Sequence, residues 1–171
     1  MHAHNLILSG VEVAFDASHQ ISQTYETLGG RALLRTLDGT GVLQSQWAKL
    51  RTVIRGEGRL PEGLSGLDYS ASLTLSCMAP ISLWSASTTG LSLPAARRSD
   101  WAPHGYAVVA GRLVATPISI ATHAVTFTAV SGATGYVCAY YPSLTVYAEP
   151  PRLSFNGRGP AVGWEIVAEE A

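Results

Sequence analysis

Apolar and polar residues alternate along most of this chain, in short runs broken by glycine and proline. In "ASLTLSCM" the alternation puts Leu73, Leu75 and Cys77 on one face of an extended segment. "HQISQTYETL" runs up to Gly29-Gly30, and "RALLRTL" runs up to "DGTG", Asp38 to Gly41. An Asp-Gly pair between apolar runs is a strong hairpin signal, because the tight turn needs positive φ. "GYAVVAGRLVATPISI" reads as a hairpin turning at Gly111-Arg112, and "HAVTFTAV" and "GYVCAYY" as strands joined by the "SGAT" turn. "LTVYAEP" and "VGWEIVAE" follow. Strands at this spacing predict an all-β, antiparallel fold, a split barrel or sandwich-like, with long loops and at most one or two short helices. The length of 171 residues suits a single β-rich domain over 1–171.

Two segments resist a simple assignment. In "VLQSQWAKLRTVIRG", Val42 to Gly56, the apolar positions Val42, Leu43, Trp47, Leu50, Val53 and Ile54 have helical spacing. The same segment starts directly after a hairpin turn and ends in the β-branched run Thr52-Val53-Ile54, which favours a strand. Both readings stand at this point. The stretch from Pro80 to Pro103 is rich in Ser, Thr and Pro, and carries Trp84 and Trp101. It reads as an irregular loop or arm over 80–103, or as short strands against a neighbour; loops of that length are commonly functional.

Composition narrows the classes. Apolar residues make up 47% and charged residues only 13%, about half the usual fraction of roughly 25%. Such a surface is poor in the charges that keep chains apart, so burial in an assembly is expected. The net charge is -1 and the isoelectric point about 6.5, with no basic field to draw nucleic acid or anionic lipid. "MHAHNLILSGVEVAFD" lacks a basic n-region, and its longest apolar run is Leu6-Ile7-Leu8. It reads as neither a signal peptide nor a membrane span, which implies a cytosolic start and no membrane insertion. Cys77 and Cys138, each in an alternating apolar stretch, are expected to be reduced and buried.

A search for chemistry finds little. "RGEGRLPEGLSGLDYS", Arg55 to Ser70, holds several glycines, but no lysine follows them. Pro61 removes a donor, Glu57 and Glu62 sit among the glycines, and a strand rather than a long helix comes next. It reads as a turn with at most one helical turn, in which Leu64 and Leu67 pin the chain to the core and Asp68 closes it. His2 and His4 have weak metal-ligand spacing, but no Cys or carboxylate cluster completes a site. No nucleophile elbow, zincin motif or paired carboxylates stand out. The sequence therefore points to no catalytic residue, no cofactor and no metal, and to a non-enzyme.

Two stretches carry a family resemblance. The first runs from "YETLGGRALLRTLDG" through "PEGLSGLD" to the "LTLSC" strand; the second is "RSDWAPHGYAVVAGRLVATP" with "GATGYVCAYYPSLTVYAEPP" and "GWEIVAEE". Together, over residues 20 to 170, they resemble tail structural proteins of long-tailed bacteriophages, specifically a distal-tail or tail-tip ring component. The resemblance implies a split β-barrel, a homo-oligomer such as a hexameric ring, and contacts with tail-tube and tip or hub proteins in the baseplate. It places the protein in the virion tail, assembled in the bacterial host cytoplasm. Separately, "AVTFTAVSGATGYVCAYY" is similar to a strand pair of fibronectin type III modules, with Phe127 where a Trp is common; it reads as a local hairpin.

Trp84, Arg97, Arg98, Asp100 and Trp101 are the expected inter-subunit contacts. Trp is enriched at interface hot spots, and the three charges could pair across a boundary. The alternative is a monomeric β-sandwich module that recognises a surface glycan or protein through Trp84 and Trp101.

Overall fold

A computed structural model describes residues 5–13, 18–58, 60, 63–155 and 162–171. The fold is all-β and antiparallel, in three sheets of which none closes into a barrel; the described residues add one 3-10 turn, Leu64–Gly66. The chain divides into two compact units, Met1–Leu75 with Thr145–Ala171, and Ser76–Leu144.

The first unit is built on one sheet. Its strands are β1 (Leu6–Leu8), β2 (Val11–Val13), β3 (Ser18–Arg35), β4 (Gly41–Gly58), β5 (Leu73–Ser76), β13 (Ser143–Ala148), β14 (Arg152–Phe155) and β15 (Val162–Glu170). The order is β2-β1-β5-β13-β15-β4-β3, with β14 also on β15. One face of β4 and β15 is core: Thr52, Ile54 and Gly56 lie opposite Ala168, Ile166 and Trp164, and all six are buried. Thr52 tolerates this because its hydroxyl donates to the Thr24 carbonyl at 2.9 Å and accepts from Gln23 Nε2 at 3.0 Å. Val42–Gly56 is strand, which decides the ambiguity left by its apolar spacing: β3 pairs with it along its length, and β15 adds a second ladder from Arg51 to Glu57.

The second unit is a small sandwich. Strands β7 (Leu91–Ser92), β10 (Ile118–Ala121) and β11 (Ala124–Phe127) form a sheet in the order β10-β11-β7. Strands β6 (Ile81–Ser85), β8 (His104–Val109), β9 (Arg112–Thr116) and β12 (Ala133–Tyr140) form another in the order β6-β12-β8-β9. Leu93, Ala107, Val125, Phe127, Tyr136, Cys138 and Tyr140 make its core. The Phe127 and Tyr136 rings stand 5.1 Å apart. The hairpin between β8 and β9 turns at Ala110-Gly111, both at positive φ, one residue before the expected place.

Two expectations are corrected. Gly29-Gly30 does not end a strand: β3 passes through it with a bulge between Gly29 and Arg31. The reason is steric, since a Cβ on Gly30 would fall 2.8 Å from Trp47 Nε1 across the pair. "HAVTFTAV" and "GYVCAYY" do not form a hairpin. β11 pairs β10 and β7, whereas β12 pairs β6 and β8. After Phe127 the backbone turns away: Thr128 N–H donates to Pro117 O at 2.9 Å, and Val130 N–H to the Tyr136 hydroxyl at 3.2 Å. The expected helical turn in the glycine-rich stretch is the 3-10 turn, anchored by fully buried Leu64 after a left-handed Gly63. Asp68 Oδ1 closes it by accepting from Ser70 N–H at 3.0 Å; Pro61 and Glu62 lie outside the described residues.

A Cβ on Gly56 would sit 2.3 Å from two ring carbons of Trp164, so the indole lies against the bare backbone. Gly56→Ala is expected to lower unfolding free energy by about 1–3 kcal/mol through overpacking. Gly66→Ala, where nothing lies within 4 Å, should leave the denaturant midpoint nearly unchanged. Equal midpoints for the two variants would remove the packing role of Trp164.

Candidate assembly surface

Four of the five expected contact residues are engaged inside the second unit. Arg98 is buried, and its guanidinium is fully used. Nε and Nη2 hold the Asp100 carboxylate at 3.0 and 2.6 Å, and Nη1 donates to Cys77 O at 3.1 Å. Its planar face lies 3.9 Å from the Trp101 ring centroid, and Trp101 meets Tyr141 edge-on at 4.5 Å. This fork gives the buried Cys77 carbonyl a charged donor. The Arg98 hydrogen bonds hold the Asp100 carboxyl below the usual carboxylate range. Arg97 donates to Pro94 O at 2.6 Å and Thr122 O at 2.8 Å, and to His123 Nδ1 at 2.8 Å. Because arginine only donates, that His123 nitrogen is the acceptor. Trp84 differs: it stands on β6, an edge strand, with 62% of its surface exposed. Cys77 and Cys138 are free thiols and buried, and burial pushes the Cys138 thiol up.

An exposed apolar surface lies elsewhere, on the β3–β4 hairpin. β15 covers β4 only from Arg51 to Glu57. Beyond that, residues 31–49 form a two-stranded ribbon, exposed throughout. Leu33 pairs directly with Leu43 on one face, and Leu34 with Val42 on the other. Leu33, Leu43 and Trp47 each keep more than half their surface exposed, and Leu37 at the tip is fully exposed. The tip itself is well made. Thr36 N–H donates to Thr40 O at 3.0 Å, Gly39 N–H to Thr36 O at 2.9 Å, and Thr40 N–H to Asp38 Oδ1 at 3.2 Å. The Thr36 hydroxyl, and after it the Thr40 N–H and hydroxyl, donate to the Asp38 carboxylate and hold it below its usual range. An isolated two-stranded hairpin is marginal in water, and one with apolar side chains on both faces gains stability only when something covers it.

The sequence held a signal for this arm. A half-buried strand alternates, but Leu33-Leu34 and Val42-Leu43 are adjacent apolar pairs, which load both faces.

At the other end of β4 the first unit has a cleft of about 800 Å³. Trp164 and Gly56 line it with Ile21, Leu153, Glu57 and Glu165. Its two arginines are paired, Arg55 with Glu165 at 2.6 Å and Arg152 with Glu149 at 2.5 Å. Trp164 Nε1 is buried and has no hydrogen-bond partner among the described residues. Among those residues no group of three or more His, Cys, Asp or Glu side chains could hold a metal, and no helix is long and apolar enough to cross a membrane. His2 and His4 lie outside the described residues. Comparison with protein-family models, curated proteins and solved structures finds no match to this chain.

Arg98→Ala should cost about 2–4 kcal/mol in a denaturant titration, because it removes a buried guanidinium together with its hydrogen bonds to Cys77 O and to the Asp100 carboxylate. Trp84→Ser, at an exposed site, should stay within about 0.5 kcal/mol. The depressed folded-state pKa of Asp100 stabilises the fold above its unfolded value near ~3.9, and that contribution is lost as pH falls through the folded value. Asp100→Asn should therefore flatten the loss of stability measured on acidification below about pH 4. A stability profile that superimposes on the unaltered chain's would refute this. Neither cysteine should react with Ellman's reagent in the native state at more than a small fraction of its rate in denaturant.

Proposed function

We propose that this chain is a structural subunit that works by assembling with other protein chains. Its setting is a bacteriophage tail, where it is a ring-forming distal-tail or tail-tip component joining tail tube to tip. The observation that carries the assembly reading is the β3–β4 arm, a ribbon apolar on both faces whose residues 31–49 are all exposed. The scarcity of charge over the whole chain supports it. The tail setting is supported by the sequence resemblance over residues 20 to 170.

The glycan-binding alternative draws on two tryptophans, and one of them is occupied. Trp101 is packed between the Arg98 guanidinium and the Tyr141 ring, which leaves Trp84 as the exposed ring of the pair. One exposed indole on a sheet edge is a weak sugar platform and an ordinary protein contact.

Native mass spectrometry and negative-stain imaging of the purified chain test the proposal. Closed rings or stacked oligomers are the expected result. A chain that stays monomeric up to roughly 100 μM, a concentration at which even weak specific association of ~10 μM Kd would register, would overturn it.

A further inference from the structure

We infer that the partner of the arm is a second copy of this chain, and that the arm of one copy seats in the Trp164 cleft of the next, head to tail. This rests on the assembly reading and names its contact.

Geometry places the two halves of the contact on the same strand but far apart. Leu43 lies near the arm tip and Gly56 lines the cleft, both on β4. At about 3.3 Å per residue they are separated by roughly 40 Å. An arm that continues a paired strand cannot fold back over that distance without breaking its own ladder, so no chain fills its own cleft. Each copy therefore offers one arm and one cleft, pointing away from each other along one strand. A contact between unlike surfaces of identical chains repeats, closing into a ring or running on as a filament.

Chemistry matches the two surfaces. The arm carries Arg31, Arg35 and Lys49 against Asp38 alone, a net charge of +2 over residues 31–49. The rest of the first unit carries ten carboxylates against five arginines, a net charge of -5. Arg31 and Arg35 share a face with Leu33, since they lie two residues to either side of it on β3. That face presents leucines flanked by cations. The cleft presents the Trp164 indole and Leu153 beside Glu57; Glu165 there pairs with Arg55, and Arg152 with Glu149. The acidic excess that meets the arm is spread over the unit. Leu153, directly opposite Trp164 in the β14–β15 register, and Phe155 beyond it leave 60% and 70% of their surfaces exposed at this end of the sheet. The buried Trp164 Nε1 lacks an acceptor among the described residues. Opposite net charge also steers copies into this orientation and disfavours arm against arm.

The test uses two full-length variants, both altered only at exposed positions. Leu33→Ser with Leu43→Ser disables the arm, and Leu153→Ser with Phe155→Ser disables the cleft. Native mass spectrometry and sedimentation should show each variant alone as a monomer where the unaltered chain is oligomeric. Mixed in equal amounts they should form a dimer and nothing larger, because one intact arm meets one intact cleft. Circular dichroism checks that the β spectrum persists. As a second route, Arg31→Glu with Arg35→Glu should weaken assembly at least tenfold and flatten its salt dependence. Variants that assemble as well as the unaltered chain, or a mixture that stays monomeric, would overturn the head-to-tail contact while leaving assembly by another surface standing. An unaltered chain that is itself monomeric would overturn both.

Discussion

The pairing of β15 with β4 is the constraint on which the first unit depends. It covers β4 from Arg51 to Glu57 and stops. Over that span the inward face is Thr52, Ile54 and Gly56 against Ala168, Ile166 and Trp164, all buried. Two features make the register specific. Gly56 is the residue whose missing side chain admits the Trp164 indole, and Thr52 fits because its hydroxyl is satisfied from β3. A slip of one residue would turn Val53 and Arg55 inward and place a side chain under the indole.

Where that pairing stops, the character of the hairpin changes. β3 and β4 go on as partners of each other, with a bulge at Gly29–Arg31 that accommodates Trp47. The backbone hydrogen bonds of such a ribbon are made within it, but its apolar side chains are not removed from water. Backbone pairing is satisfied locally; hydrophobic burial is not, and it has to come from another surface. That imbalance makes the arm the strongest candidate for a contact surface on this chain.

The second unit shows the opposite economy. Its two small sheets enclose a core of their own, and the irregular 80–103 stretch is fastened to it by β6, β7 and the Arg98 fork. A short stretch poor in regular structure has few backbone partners, and arginine supplies several donors at once. The charges that look free in sequence are consumed as internal fasteners: Asp100 completes the Arg98 fork, and Arg97 ties Pro94 to Thr122.

The sequence by itself determined the all-β class, the Asp-Gly turn at the arm tip, the buried row Leu73, Leu75 and Cys77, and the single helical turn in the glycine-rich stretch. Each of these follows from local rules: period-two alternation, and positive φ where the chain turns. Tertiary structure decided the rest. Which strands share a sheet depends on partners distant in the chain, so β11 and β12 separate although a turn joins them. Whether Val42–Gly56 is helix or strand depends on its partners, β3 along the whole segment and β15, more than a hundred residues later, over Arg51–Glu57. Whether an arginine faces a partner or its own core depends on which carbonyls end up beside it, and for Arg98 those are Cys77 and its neighbour Ser76. Burial is a property of the assembled sheet, so the exposure of the apolar arm is set by where β15 stops, at Arg51.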